Sequence, residues 1–76
     1  MPMYKDYGVL ASGLSLAEHG RPGNYIPFAS VFIWSDGYFR LARQFTWSDL
    51  EQPSEDAAKA TAELLAQRAI DCGDVA

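Results

Sequence analysis

Cysteine and histidine are almost missing from this chain, which holds one of each, Cys72 and His19. A lone thiol rules out an intramolecular disulfide and fits a reducing compartment. With one imidazole, set far from that thiol in a Gly/Pro-rich segment, a Cys–His nucleophile pair or a zinc ligand set cannot be assembled. His19 therefore reads as a solvated loop side chain and Cys72 as a small core residue on a helix. No run approaches the roughly 18 apolar residues of a membrane span. Nor does a basic segment followed by an apolar stretch open the chain, as in a secretory signal. A cytoplasmic protein without membrane contact is expected.

Basic residues are also few: six Lys and Arg stand against ten Asp and Glu, for a net charge of −4. The imbalance is local. Residues 1–47 carry Lys5, Arg21, Arg40 and Arg43 against Asp6, Glu18 and Asp36. Residues 48–76 carry only Lys59 and Arg68 against Asp49, Glu51, Glu55, Asp56, Glu63, Asp71 and Asp74. A field of this sign repels phosphate backbones and disfavours general nucleic-acid binding. The acids lack the alternating oxygen ligands and central glycine of a calcium loop. Ser12, Ser15, Ser30 and Ser35 have no base beside them, and no glycine-rich loop joins a strand to a helix as a phosphate cradle does. Hence no catalytic residue, cofactor or metal is expected, and no enzyme activity.

Apolar surface, by contrast, is plentiful. A 49% hydrophobic fraction with four Phe and four Tyr argues against disorder. The 76 residues make a single domain, 1–76, of a size that buries only about 60–65% of its unfolded surface. So small a core makes oligomerisation a live option before any motif is considered.

The segment Phe28–Trp47, FASVFIWSDGYFRLARQFTW, has two aromatic-rich runs hinged at Asp36-Gly37. This is the strongest local signature of a β-hairpin, with strands over 28–34 and 38–47. A two-residue loop pairs Ser35 with Tyr38 and Ile33 with Arg40. A three-residue loop with Gly37 as a left-handed bulge pairs Trp34 with Tyr38. The second register gathers Ala29, Val31, Ile33, Phe39, Leu41 and Phe45 on one face, with Arg43 at its end, and Phe32, Trp34, Tyr38 and Arg40 on the other. Apolar segregation favours it, because a one-residue slip exchanges the faces of a strand.

Upstream, residues 1–7 have no clear period and read as a lead-in. Tyr7–Leu16 alternates, with Leu10, Ser12, Leu14 and Leu16 on one face, and reads as a strand in which Gly13 marks a bulge or a close approach. Glu18–Pro27 is turn chemistry, too rich in Gly and Pro for a ladder. Downstream the period changes from 2 to 3.6. Ser48 and Glu51 have capping-box spacing. Ser54 is the N-cap of a helix over 55–72, with Glu55 and Asp56 in its first turn and Gly73 just past its end. Its apolar stripe is Ala58, Thr61, Ala62, Leu65, Ala69 and Cys72, flanked by Ala57, Leu64 and Ala66.

These elements give an α+β fold of order β-β-β-α, a three-stranded antiparallel sheet with one C-terminal helix packed on one face. Residues 28–71, with Phe45, an acidic linker, the Ser54-to-Ala58 helix start and the ending Arg68-Ala69-Ile70-Asp71, resemble small bacterial proteins built as a hairpin plus one helix. That resemblance implies a fold and no activity. The helix start also looks like that of HicB-type antitoxins, but the Gly-Cys turn and Gly-Asp step between their strands and helix are missing here.

One helix covers one sheet face. Phe32, Trp34, Tyr38 and Arg40 are thus candidate interface residues of a small protein-interaction module, a homodimer through the sheet face or edge or a complex with another protein. The alternative is single-stranded nucleic acid stacked on Phe32, Trp34 and Tyr38, with Arg40 and Arg43 on phosphates. A third outcome is that the N-terminal segment or Trp47 folds over that face.

Overall fold

The structure, a computed structural model, describes residues 1–75. Its sheet is antiparallel, with the strands side by side in chain order: β1 (Met3–Tyr4), β2 (Tyr7–Ser15), β3 (Tyr25–Ser35) and β4 (Tyr38–Thr46), followed by the helix α1 (Glu55–Asp71). The class is the expected α+β, with four strands in place of three. The extra strand comes from the lead-in. Met3 pairs with Gly8 and Tyr4 with Tyr7, and the Val9 amide donates to the Pro2 carbonyl at 2.9 Å. A two-residue strand has no alternation to read, which is why periodicity missed it.

The connection from β2 to β3 is shorter than the turn-rich sequence suggests. A single 3₁₀ turn, Ala17–His19, leads to Gly23, and β3 already begins at Tyr25, so that Pro27 lies inside the strand. In an antiparallel strand a residue's N–H and C=O point to the same side. The Pro27 carbonyl accepts from the Trp47 amide at 3.0 Å, where β4 has just ended. Its missing donor faces Trp47, whose carbonyl accepts from the Leu50 amide instead, so no ladder bond is lost. Beyond it, Tyr25 and Gln52 exchange backbone hydrogen bonds of 2.9 and 2.7 Å, carrying the chain from β4 towards α1.

The β3–β4 hairpin corrects the expected register. Its loop has two residues, Asp36 and Gly37, with φ of 52° and 85°. Both are left-handed, as a turn matching the strand twist requires. Ser35 pairs with Tyr38, Trp34 with Phe39, Ile33 with Arg40 and Phe32 with Leu41. The register then shifts by one at a β-bulge, after which Val31 pairs with Arg43 and Ala29 with Phe45. The extra residue, Ala42, flips the rest of β4 relative to β3. The two-residue loop takes Phe39 and Leu41 off the helix face on which they were expected, while the bulge keeps Phe45 on it.

Helix α1 starts as the sequence indicates: the Ser54 hydroxyl accepts from the Ala57 amide at 3.1 Å. It ends with Gly73 at φ 76°. There the Gly73 amide bonds Ile70 and the Asp74 amide bonds Ala69, at 3.2 and 2.8 Å, a Schellman ending. Val75 folds back against the core. Ala58, Ala62, Ala66, Ala69 and Ile70 are the buried residues of the helix. Cys72, expected in the core, is exposed: it keeps helical backbone angles, but the buried stripe runs through Ala62, Ala66 and Ile70, to one side of it. Leu64 on the flank is also exposed. The alanine face lets α1 lie close over β2 and β3, where Val9, Ala29 and Val31 meet Ala62, Ala66, Ala69 and Ile70. At Gly13 the approach is closest: a Cβ there would lie 2.9 Å from both Ala58 Cβ and the Glu55 carbonyl oxygen.

Candidate interaction surface

Strand alternation sorts the sheet into two faces. Tyr7, Val9, Ala11 and Gly13 of β2, with Ile33, Val31, Ala29 and Pro27 opposite them on β3, lie on the helix side. The outer face carries Gly8, Leu10, Ser12 and Leu14 from β2, and Ile26, Phe28, Ser30, Phe32 and Trp34 from β3. Strand β4 adds Phe39 and Leu41 before the bulge and Gln44 and Thr46 after it. Met3 continues the face onto β1 through its pairing with Gly8. None of these side chains is charged.

Apolar groups concentrate at the hairpin-tip end of this face. Trp34 meets Phe39 edge to face, with ring centroids 4.9 Å apart, the geometry aromatic quadrupoles prefer. A Cβ on Gly8 would lie 3.2 Å from Phe39 Cε1 and would meet the Met1 thioether first. The bare glycine thus leaves room for both side chains above β2. Leu10, Trp34 and Leu41 remain 47%, 53% and 50% exposed, so among the described residues neither Met1 nor any other side chain closes over them. Burying a large apolar side chain is worth about 1.5–3 kcal/mol, and each of these three leaves about half of that ungained. Two polar residues of the face pair with each other, Gln44 Nε2 donating to Ser30 Oγ at 3.2 Å.

Of the four residues singled out by sequence, Phe32 and Trp34 lie on this outer face. Tyr38 and Arg40 do not, because they pair with Ser35 and Ile33 and so belong to the helix side. Arg43 is also on that side. Its guanidinium sits 5.0 Å from the centre of the Phe45 ring and donates to the Asp74 carbonyl at 2.6 Å, a cation at a helix C-terminus. Trp47 stacks on Phe45 and packs against the core, so it does not close the outer face. Leu10, Leu14, Phe39 and Leu41 were not singled out. The Leu alternation of β2 pointed to the first two, but the other two depend on the hairpin loop having two residues.

The charged groups hold the frame together instead. The Tyr4 hydroxyl donates to both Asp71 oxygens, at 2.9 and 3.1 Å, and the Lys5 ammonium joins them. This latch ties the β1–β2 turn, where Lys5 has a φ of 55°, to the end of α1. The Lys5 hydrogen bond, then that of Tyr4, holds the Asp71 carboxyl below its ordinary value. The same contacts raise Lys5 and Tyr4 above theirs. Arg21 pairs with Glu51, tying the β2–β3 connection to the linker before α1. Among the described residues, no three His, Cys, Asp or Glu side chains come together as a metal site would require. No helix among the described residues is long and apolar enough to cross a membrane. Comparison with protein-family models, with curated proteins and with solved structures finds no match to this chain. The likeness to small hairpin-plus-helix proteins therefore rests on residue pattern alone.

Proposed function

We propose that this chain is a small protein-interaction module that self-associates through its sheet. One observation carries the reading: the sheet has an uncharged outer face on which Leu10, Trp34 and Leu41 are about half exposed. A second copy offers the same patch with no need for a second surface to evolve, which is why two-fold dimers are the commonest assemblies. Phe32 and Trp34 are the aromatic anchors at the centre of such a contact. Tyr38 and Arg40, on the helix side of the neighbouring edge strand β4, lie at its rim. Stacked single-stranded nucleic acid has less to support it, since Arg40 and Arg43 are on the opposite face from Phe32 and Trp34 and phosphates there would find no cation. No catalytic role belongs to this reading.

Sedimentation equilibrium at micromolar concentration tests it. The expected mass is about twice the 8.4 kDa of the chain, and Trp34→Asp is expected to sediment as one chain. A wild-type protein that stays at the mass of one chain up to tens of micromolar would overturn the proposal.

A further inference from the structure

Self-association can use either the free edge of the sheet or its open face, and the two leave different residues covered. Resting on the reading above, the geometry points to a face-to-face dimer: two sheets stacked by their outer faces, with both α1 helices on the outside and both β4 edges free.

Three observations count against the edge. Strand β1 pairs only with Tyr7 and Gly8, which leaves two free edges: the Leu10–Ser15 stretch of β2, crowded at Gly13 by the start of α1, and the longer β4. That edge is broken near its middle by the bulge at Ala42, a device that blunts strand pairing. Joining two β4 strands would also bring Arg40 and Arg43 of both copies onto one strand pair, and like charges across a ladder repel.

The face has none of these defects. It carries no charge, so stacking two copies strands no ion. The acidic half of the chain is on the far side: Glu55, Asp56, Glu63 and Asp71 all belong to α1. Stacked sheets are about 10 Å apart, and each helix lies a further helix–sheet distance beyond its own sheet. The two acidic layers are then separated by well over the Debye length of about 8 Å in physiological salt. The area is also sufficient. Strands β2, β3 and β4 have nine, eleven and nine residues, giving a footprint of roughly 14 by 30 Å at the usual spacings. Two such footprints, enlarged by protruding Trp34, Leu41 and Leu10, reach the lower range of specific interfaces, about 1,000–1,200 Å². An interface of this size suits a dimer that dissociates on dilution.

Backbone hydrogen exchange on the wild-type protein distinguishes the two arrangements without a mutation. The Trp47 amide points inwards to Pro27, so by alternation the Gln44 and Thr46 amides point outwards along the free edge. In the face-to-face dimer these two exchange at the same fast rate above and below the dimer midpoint, and Trp34 fluorescence becomes shielded from acrylamide as concentration rises. The exposed Leu41→Lys substitution abolishes dimerisation. A dimer whose Gln44 and Thr46 amides gain protection with concentration, or that survives Leu41→Lys, would overturn the face arrangement while leaving self-association in place. A wild-type monomer with Trp34 still accessible to acrylamide would overturn both.

Discussion

Replacing Gly13 by alanine asks how closely the helix is seated on the sheet. Gly13 is absent from the positive-φ residues, so its backbone accepts a side chain without conformational strain. Taken alone, losing a strand glycine stabilises by about 0.5–1 kcal/mol. The packing opposes this. The added Cβ would lie 2.9 Å from Ala58 Cβ, 2.9 Å from the Glu55 carbonyl oxygen and 3.2 Å from Glu55 Cα. Two of these atoms are backbone in the first turn of α1, where Ser54 caps the helix, so nothing can rotate aside. The helix start must lift, loosening Ala58 from the sheet. Overpacking of this kind costs about 1–3 kcal/mol, which outweighs the entropic gain. The net expectation is a loss of about 1–2 kcal/mol, read by urea denaturation followed by far-UV circular dichroism. In a domain of this length, that lowers the melting temperature by about 4–8 °C per kcal/mol. Gly8→Ala serves as the control, since its Cβ meets the flexible Met1 thioether first, a side chain that can swing away. A Gly13→Ala protein as stable as the wild type, or one no less stable than Gly8→Ala, would refute the seating of α1 on β2.

Gly37→Ala places a Cβ at a φ of 85° and is expected to cost on the order of 1 kcal/mol by denaturant unfolding; an unchanged midpoint would mean the hairpin turns differently. The Asp71 latch gives a pH signature. Asp71 is lowered in the folded state by Lys5 and then Tyr4, so its contribution is full above the unfolded carboxylate value and is lost as pH falls through the lower folded value. Lys5 and Tyr4 are raised in the folded state, so their share is full below their ordinary values of 10.5 and 10.0 and is lost as pH rises through the folded ones. The stability difference between wild type and Asp71→Asn should therefore be flat near neutrality and shrink at both extremes. A difference that grows below pH 4 would show that Asp71 is not held by these partners.

The sequence by itself determined the kinds of elements and most of their ends. Asp36-Gly37 was sufficient for the hairpin, and Ser54 and Gly73 for the two ends of α1, because turns and caps are short-range chemistry carried by the residues that form them. The run of Ala58, Ala62, Ala66 and Ala69 announced a helix that packs closely, and Gly13 marked where. An open apolar face also followed from the sequence, since one helix cannot cover both sides of a sheet. The membership of that face did not. It turned on Ala42, which has nothing in its chemistry to mark it as the extra residue of a bulge. The bulge lets β4 give Phe39 and Leu41 to one side and Phe45 to the other, a solution no uniform register offers. It also turned Arg43 away from Phe32 and Trp34, as the two-residue loop had done for Tyr38 and Arg40, leaving a face without charge. β1, Pro27 inside β3, and exposed Cys72 were likewise settled by contacts distant in the chain. Periodicity measures which side of its own element a residue occupies; which element lies on that side is decided only when the strands have paired and the helix has docked.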